Sequence, residues 1–208
     1  MEIPERFVKL VFDGRAKIVR QMLDGEPMDK NQLFIGFTRH SPAVITNGSA
    51  GLNGSIKGTG FVPNKEYLPD ILQKYKAHIE NSSPETYSQK GLEILWEEVW
   101  SKPERFDVTR MATIELAKRH TWTNLNENPN CSILFYQPPV VSYECRATVE
   151  IFTEGPIHQF VNAQHDVYHQ PNPNIWKDRP VYLFTIHEII DKSVTKTGFG
   201  KTIWGGAQ

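Results

Sequence analysis

The sequence predicts an α+β fold: an antiparallel β-barrel with an inserted helical pair, built as a single domain over residues 1–208 with the insertion at about 64–105. Three observations lead there. Cys131–Tyr136 and Val141–Ile151 are two strand-like runs joined at Pro138-Pro139, a hairpin signature. Between Asn64 and Ser101 the apolar spacing changes from a strand period to a helical one. After Arg179-Pro180 it returns to strand character in Val181–His187.

Taken in order, Phe7–Phe12, Leu33–Thr38 and Ala43–Thr46 read as strands, with Asp13-Gly14 as a tight turn because Asp and Gly tolerate positive φ. The glycine-rich stretch from Asn47 to Gly60 reads as a loop or short irregular hairpin. It matches neither the dinucleotide fingerprint nor the nucleotide P-loop, so turn packing outweighs phosphate binding there. Leu68, Leu72, Tyr75 and Ile79 form the apolar stripe of a helix with Asn64 as its expected N-cap. Ser83-Pro84 starts a second helix, since proline at the first helical position loses no needed amide bond. Its face of Leu92, Leu95, Trp96, Val99 and Trp100 is dense enough to be core or subunit contact in preference to a cofactor platform. A third helix is expected over Asp107–Glu127, stopped by Asn128-Pro129 because the residue before proline is pushed out of the helical region. In the following hairpin Val141, Tyr143, Cys145, Ala147, Val149 and Ile151 share one face, and Ser142, Glu144, Arg146, Thr148 and Glu150 the other. The tail from Gly198 to Trp204 adds a short strand or docking arm.

Composition narrows the class. Apolar residues make up 39% and charged residues 23%, values of an ordinary globular domain. A net charge of −1 with scattered basic residues gives no field for nucleic acid. Neither a secretory leader nor a membrane-length apolar run is visible, so a cytoplasmic protein with no membrane partner is expected. Cys131 and Cys145 are too few for a zinc site and are read as free thiols, although their strands pair.

The order helix, Leu125-Asn-Glu-Asn128-Pro129, apolar strand, then Tyr143-Glu-Cys-Arg-Ala-Thr-Val-Glu-Ile151 resembles the FMN-binding split barrels typified by pyridoxamine-phosphate oxidase. The likeness extends from Asp107 to Asp191. Where that family presents Ser-Arg-Lys to the flavin phosphate, this chain has Arg119-His120-Thr121, and the family's strand glycine is Ala147. Its early Asp-Gly-x-Pro is echoed only by Asp24-Gly25-Glu26-Pro27. The resemblance implies a divergent split barrel, a homodimer with FMN in a groove between subunits, and redox chemistry on a small-molecule substrate. It implies Lys118, Arg119, His120 and Thr121 as phosphate donors, Arg146 as a further donor, and Trp176 and Arg179 as ring or substrate contacts. A surface or capping role competes at each position. No catalytic residue is assigned.

A second feature competes. His158, His165 and His169 are spaced by seven and four, which on one helix brings them into a narrow arc suited to a metal ion. Against this, Asp166 points elsewhere, and Ile157, Phe160, Val161 and Tyr168 border the histidines as an apolar face. His40, between Arg39 and Ser41-Pro42, is placed at a pocket mouth without a partner acid or nucleophile. The expectation is therefore an FMN-dependent oxidoreductase. The alternatives are a histidine-based metal-binding enzyme and a non-catalytic barrel that binds a ligand or partner.

Overall fold

The computed structural model describes residues 2–172 and 179–205. It contains an eight-stranded antiparallel sheet with helices packed on it, the α+β architecture expected. The strands are β1 (Ala43–Thr46), β2 (Asn53–Ile56), β3 (Gly60–Pro63), β4 (Phe106–Ile114), β5 (Asn130–Gln137), β6 (Val141–Phe152), β7 (Val181–Asp191) and β8 (Lys201–Gly205). Their order across the sheet is β2-β1-β5-β6-β7-β4-β3, with β8 on β7 beyond the end of β4.

β2 and β3 are opposite edges of this sheet, yet only residues 57–59 connect them. Three linking residues reach roughly 14 Å at full extension, so the sheet must curl until its two edges come close. The connection is held from both sides. The Lys57 and Thr59 amides donate to the Pro42 and His40 carbonyls, and the Thr113 hydroxyl donates to the Gly58 carbonyl. No ladder joins β2 to β3, so the barrel is split.

The β5–β6 hairpin is as the alternation predicts: Tyr143, Cys145, Ala147 and Val149 are buried and the intervening side chains face water or the rim. Asn128-Pro129 ends the helix before it, as expected. The two cysteines are free and stagger past each other, Cys131 opposite Ala147 and Cys145 opposite Ile133. Burial pushes the Cys131 thiol up to about 12, which disfavours the reactive thiolate.

Elsewhere the local readings give way to packing. The expected strand Phe7–Phe12 is helical: α1 (Glu5–Val8), a π-turn over Lys9–Asp13 and α2 (Gly14–Leu23) form one continuous run. The π-turn widens the helix where Leu10, Val11 and Phe12 are all buried. Asp13-Gly14 makes no turn, since Gly14 is helical at φ −64°. The expected strand Leu33–Thr38 is α3 (Lys30–Thr38), which lies so close on α2 that a Cβ at Gly36 would stand 2.5 Å from the Ile18 methyl.

The helical pair is present as α4 (Leu68–Asn81) and α5 (Tyr87–Leu95), the latter prolonged by a π-turn over Trp96–Trp100. Tyr67, not Asn64, occupies the N-cap of α4, and Thr86, not Ser83, that of α5. Of the expected helix Asp107–Glu127 only α6 (His120–Glu127) is helical; its first half is β4. β4 is buried on both faces, so its apolar residues show no period of two and imitate a helix. The pair packs against α7 (Gly155–Tyr168): Tyr75 stacks on Phe160, and the Tyr87 hydroxyl donates to the Asp166 carbonyl. Among the described residues no helix is long and apolar enough to cross a membrane.

Candidate functional site

Two regions carry chemistry, and they share a boundary at Leu116. The first is the loop between β4 and α6. Glu115 is buried, and its carboxylate accepts the amides of Ala117 and Lys118 at 2.7 Å while pairing with Lys57 at 2.6 Å. Burial opposes ionisation of this carboxyl, but the Lys57 bond and the loop amides outweigh it and hold the group below the usual carboxylate range. The carboxylate thus fixes the loop in a left-handed kink at Lys118, φ 47°. Lys118, Arg119 and His120 then stand together, exposed, at the start of α6, with the Lys118 ammonium 5.2 Å from the Trp122 ring centre.

Thr121 departs from the expected phosphate set. It is buried, and its hydroxyl is engaged by the Asn53 amide at 2.9 Å and the Ser55 hydroxyl at 3.0 Å, tying α6 to β2. Arg146 is on β6, exposed and paired with Glu188 at 3.1 Å, outside the loop that carries the other three. Arg179 is a clamp: its guanidinium grips Asp166 through two bonds of 2.7 and 2.8 Å, and its carbonyl accepts from His158 Nε2 and Asn162. Burial resists ionisation of Asp166, but Arg179 and His165 prevail and keep its carboxyl low. Trp176 lies outside the described residues.

The histidine arc resolves into separate duties. His158 faces the Arg179 carbonyl, His165 Nδ1 faces Asp166 at 2.9 Å, and His169 packs its ring 5.0 Å from that of His165. Among the described residues no group of three His, Cys, Asp or Glu side chains is arranged to hold a metal ion.

The second region is a cavity of about 630 Å³, open on one side, lined by residues of α2, α3, the end of α5, β3, β4 and α7. Its walls are largely apolar, with Ile18, Leu33, Leu95 and Val161 prominent, and Leu116 brings the cationic loop to its rim. Polar side chains also line it, among them Arg15, His40, Thr113, Gln164, His165 and His169. Arg15 lies with its guanidinium 4.6 Å over the Trp100 ring and donates to the Thr59 carbonyl at 2.9 Å. Burial pushes the His40 imidazole down to about 4, the Arg15 charge adds to the effect, and the Gly36 backbone opposes it. His40 is among the residues that line this cavity. Arg15 was missed, because its segment reads as a strand and a turn. In helical register it follows Val11 and Phe12 by four and three and precedes Ile18 and Val19 by three and four, a cation inside the apolar stripe.

No protein-family profile matches this chain, and no curated protein does. Among solved structures it is similar to HupZ of Group A Streptococcus, at 13% identity over 84% of this chain and 99% of that one, with a TM-score of 0.47. It is similar also to a putative pyridoxamine 5'-phosphate oxidase from Lactobacillus delbrueckii, at 11% identity over 78% and 93%, with a TM-score of 0.44. A third is an FMN-binding protein from Syntrophomonas wolfei, at 9% identity over 92% and 95%, with a TM-score of 0.39. At these values neither a residue role nor an activity passes from those proteins to this one.

Proposed function

We propose that this protein is a flavin-dependent oxidoreductase that holds the phosphate of FMN at the start of α6 and acts on a small molecule as a homodimer. One observation carries the reading: the Glu115 carboxylate pre-forms the loop that presents Lys118, Arg119 and His120 together, exposed, beside the helix N-terminus. This donor set fits a phosphate, since guanidinium and ammonium groups make charge-assisted bonds to it and the first amides of a helix have no intrahelical partner. Thr121 stands outside the set, because its hydroxyl is committed to Asn53 and Ser55.

When bound, FMN supplies the electron chemistry. The chain's own contribution is positional. Glu115 holds the loop without reorganisation on binding, Thr121 and Asn124 anchor α6 to the β1–β2 hairpin, and Leu116 joins the phosphate loop to the cavity wall.

The test is an FMN titration of the purified full chain followed by flavin fluorescence, with the Arg119→Ala/His120→Ala variant beside it. Saturable binding of one FMN per chain is expected, weakened roughly tenfold or more in the variant, about 1.4 kcal/mol. Absence of saturable binding, or a variant that binds FMN as the native chain does, overturns the reading.

A further inference from the structure

We infer that the cavity between α2, α3 and α7 binds an apolar organic carboxylate, with the carboxylate seated against Arg15 and the apolar body against the hydrocarbon walls. The inference does not rest on the flavin reading: it comes from Arg15, which has no part in the loop at α6.

A guanidinium carries five N–H donors, and although burial pushes that of Arg15 down to about 9 it stays charged at neutral pH. That of Arg15 is half-buried, uses one donor on the Thr59 carbonyl, and lies over Trp100; no carboxylate among the described residues pairs with it. A desolvated charge without a counter-charge is costly, and buried charges in proteins are as a rule paired. The surroundings sharpen the deficit. Arg39, next to the same end of α2, bonds the Gly14 carbonyl and the Gln137 side chain and likewise has no acidic partner among the described residues. The depressed basicity of His40 has the Arg15 charge among its causes, so the imidazole offers a hydrogen bond here without adding charge. The cavity therefore lacks one negative charge at its Arg15 end.

The rest of the cavity sets the body of the ligand. Ile18, Leu33, Leu95 and Val161 offer no hydrogen bonds, and Trp100 and Phe37 add aromatic surface to the lining. A volume of about 630 Å³ equals the share of about twenty waters in the liquid, room for a fused-ring acid. A cation would be repelled, and an uncharged apolar molecule would leave Arg15 unpaired.

The test uses 2-naphthoate as the probe on the full chain, with 2-naphthalenemethanol and 2-naphthylmethylammonium as its uncharged and cationic counterparts, by calorimetry. The native chain is expected to bind one naphthoate at least roughly tenfold tighter than the alcohol, and the ammonium not at all. Arg15→Met should bring naphthoate down to the affinity of the alcohol and leave the alcohol unchanged. Equal affinity for acid and alcohol, no binding of naphthoate, or a folded Arg15→Met chain that still prefers the acid overturns the inference. If Arg15→Met fails to fold, the ranking of the three probes on the native chain decides. An FMN titration of the same preparation reads the α6 loop separately, so failure of the flavin reading and failure of this one are distinguishable.

Discussion

His40 reaches the cavity from the end of α3, its ring 5.4 Å from that of Phe37 and its carbonyl accepting the Thr59 amide. In the unfolded chain its imidazole takes up a proton near pH 6.5, whereas in the fold it does so only near 4. Between those values the unfolded state binds more protons, so the native state loses stability as pH falls through this window and the His40 contribution is constant below it. Urea denaturation at pH 7 and pH 4.5 should therefore show a steeper acid loss in the native chain than in His40→Gln, by of order 2 kcal/mol. Equal losses in the two chains sink this account. At this scale the sequence was partly legible. His40 stands out because a polar run, Arg39-His40-Ser41, precedes a strand. Lys118, Arg119 and His120 stand out through their distance from Asn128-Pro129. Arg15 does not, since one must first know that residues 5–23 are helical, and the valine-rich start argues for a strand. Thr121 reads as a phosphate donor until the fold shows Asn53 and Ser55 on its hydroxyl.

The element that organises the cationic loop is α6, and its anchor is Asn124. This side chain is fully buried; its Nδ2 donates to the Gly51 carbonyl at 2.7 Å and to Thr46 Oγ1 at 3.2 Å, and its Oδ1 accepts the Ala50 amide at 3.0 Å. Glu127, one turn on, accepts the amide and hydroxyl of Ser49, so two turns of helix hold the whole β1–β2 turn. Asn124→Ala strands a buried amide and carbonyl and should destabilise the protein by about 2–4 kcal/mol. Amide exchange at residues 48–51 should quicken ahead of the rest of the sheet. A variant within about 0.5 kcal/mol of the native chain would mean that the turn holds itself. The sequence shows where α6 ends, because Asn-Pro acts through local sterics. It conceals where α6 begins, because β4 is covered by helices on one side and core on the other. Val108, Met111 and Ile114 then fall at a spacing that a strand and a helix share. The β5–β6 hairpin has one wet face, and for that reason its register could be read directly.

Across the whole molecule the two edges of the curled sheet are treated differently. β3 lies under α7, where a Cβ on Gly60 would meet the Gln164 side chain at 2.4 Å, so this edge is covered. β2 is open. Leu52 and Ile56 on and beside it are 80% and 69% exposed, and the strand carries neither proline nor lysine, the usual guards of a free edge. Lys57, the nearest cation, is turned inward to Glu115. An unguarded edge with bare aliphatic side chains invites a second chain, and the same edge is tied through Thr121 to the helix that bears Arg119 and His120. The homodimer proposed above should therefore form across β2. Sedimentation equilibrium at micromolar protein should return twice the 23.9 kDa of one chain. Leu52→Lys with Ile56→Lys, two exposed positions whose change costs the monomer little, should return a single chain and weaken FMN together with it. A native chain that sediments as a monomer removes the dimer from the proposal. A lysine pair that leaves a dimer intact moves the interface elsewhere on the barrel.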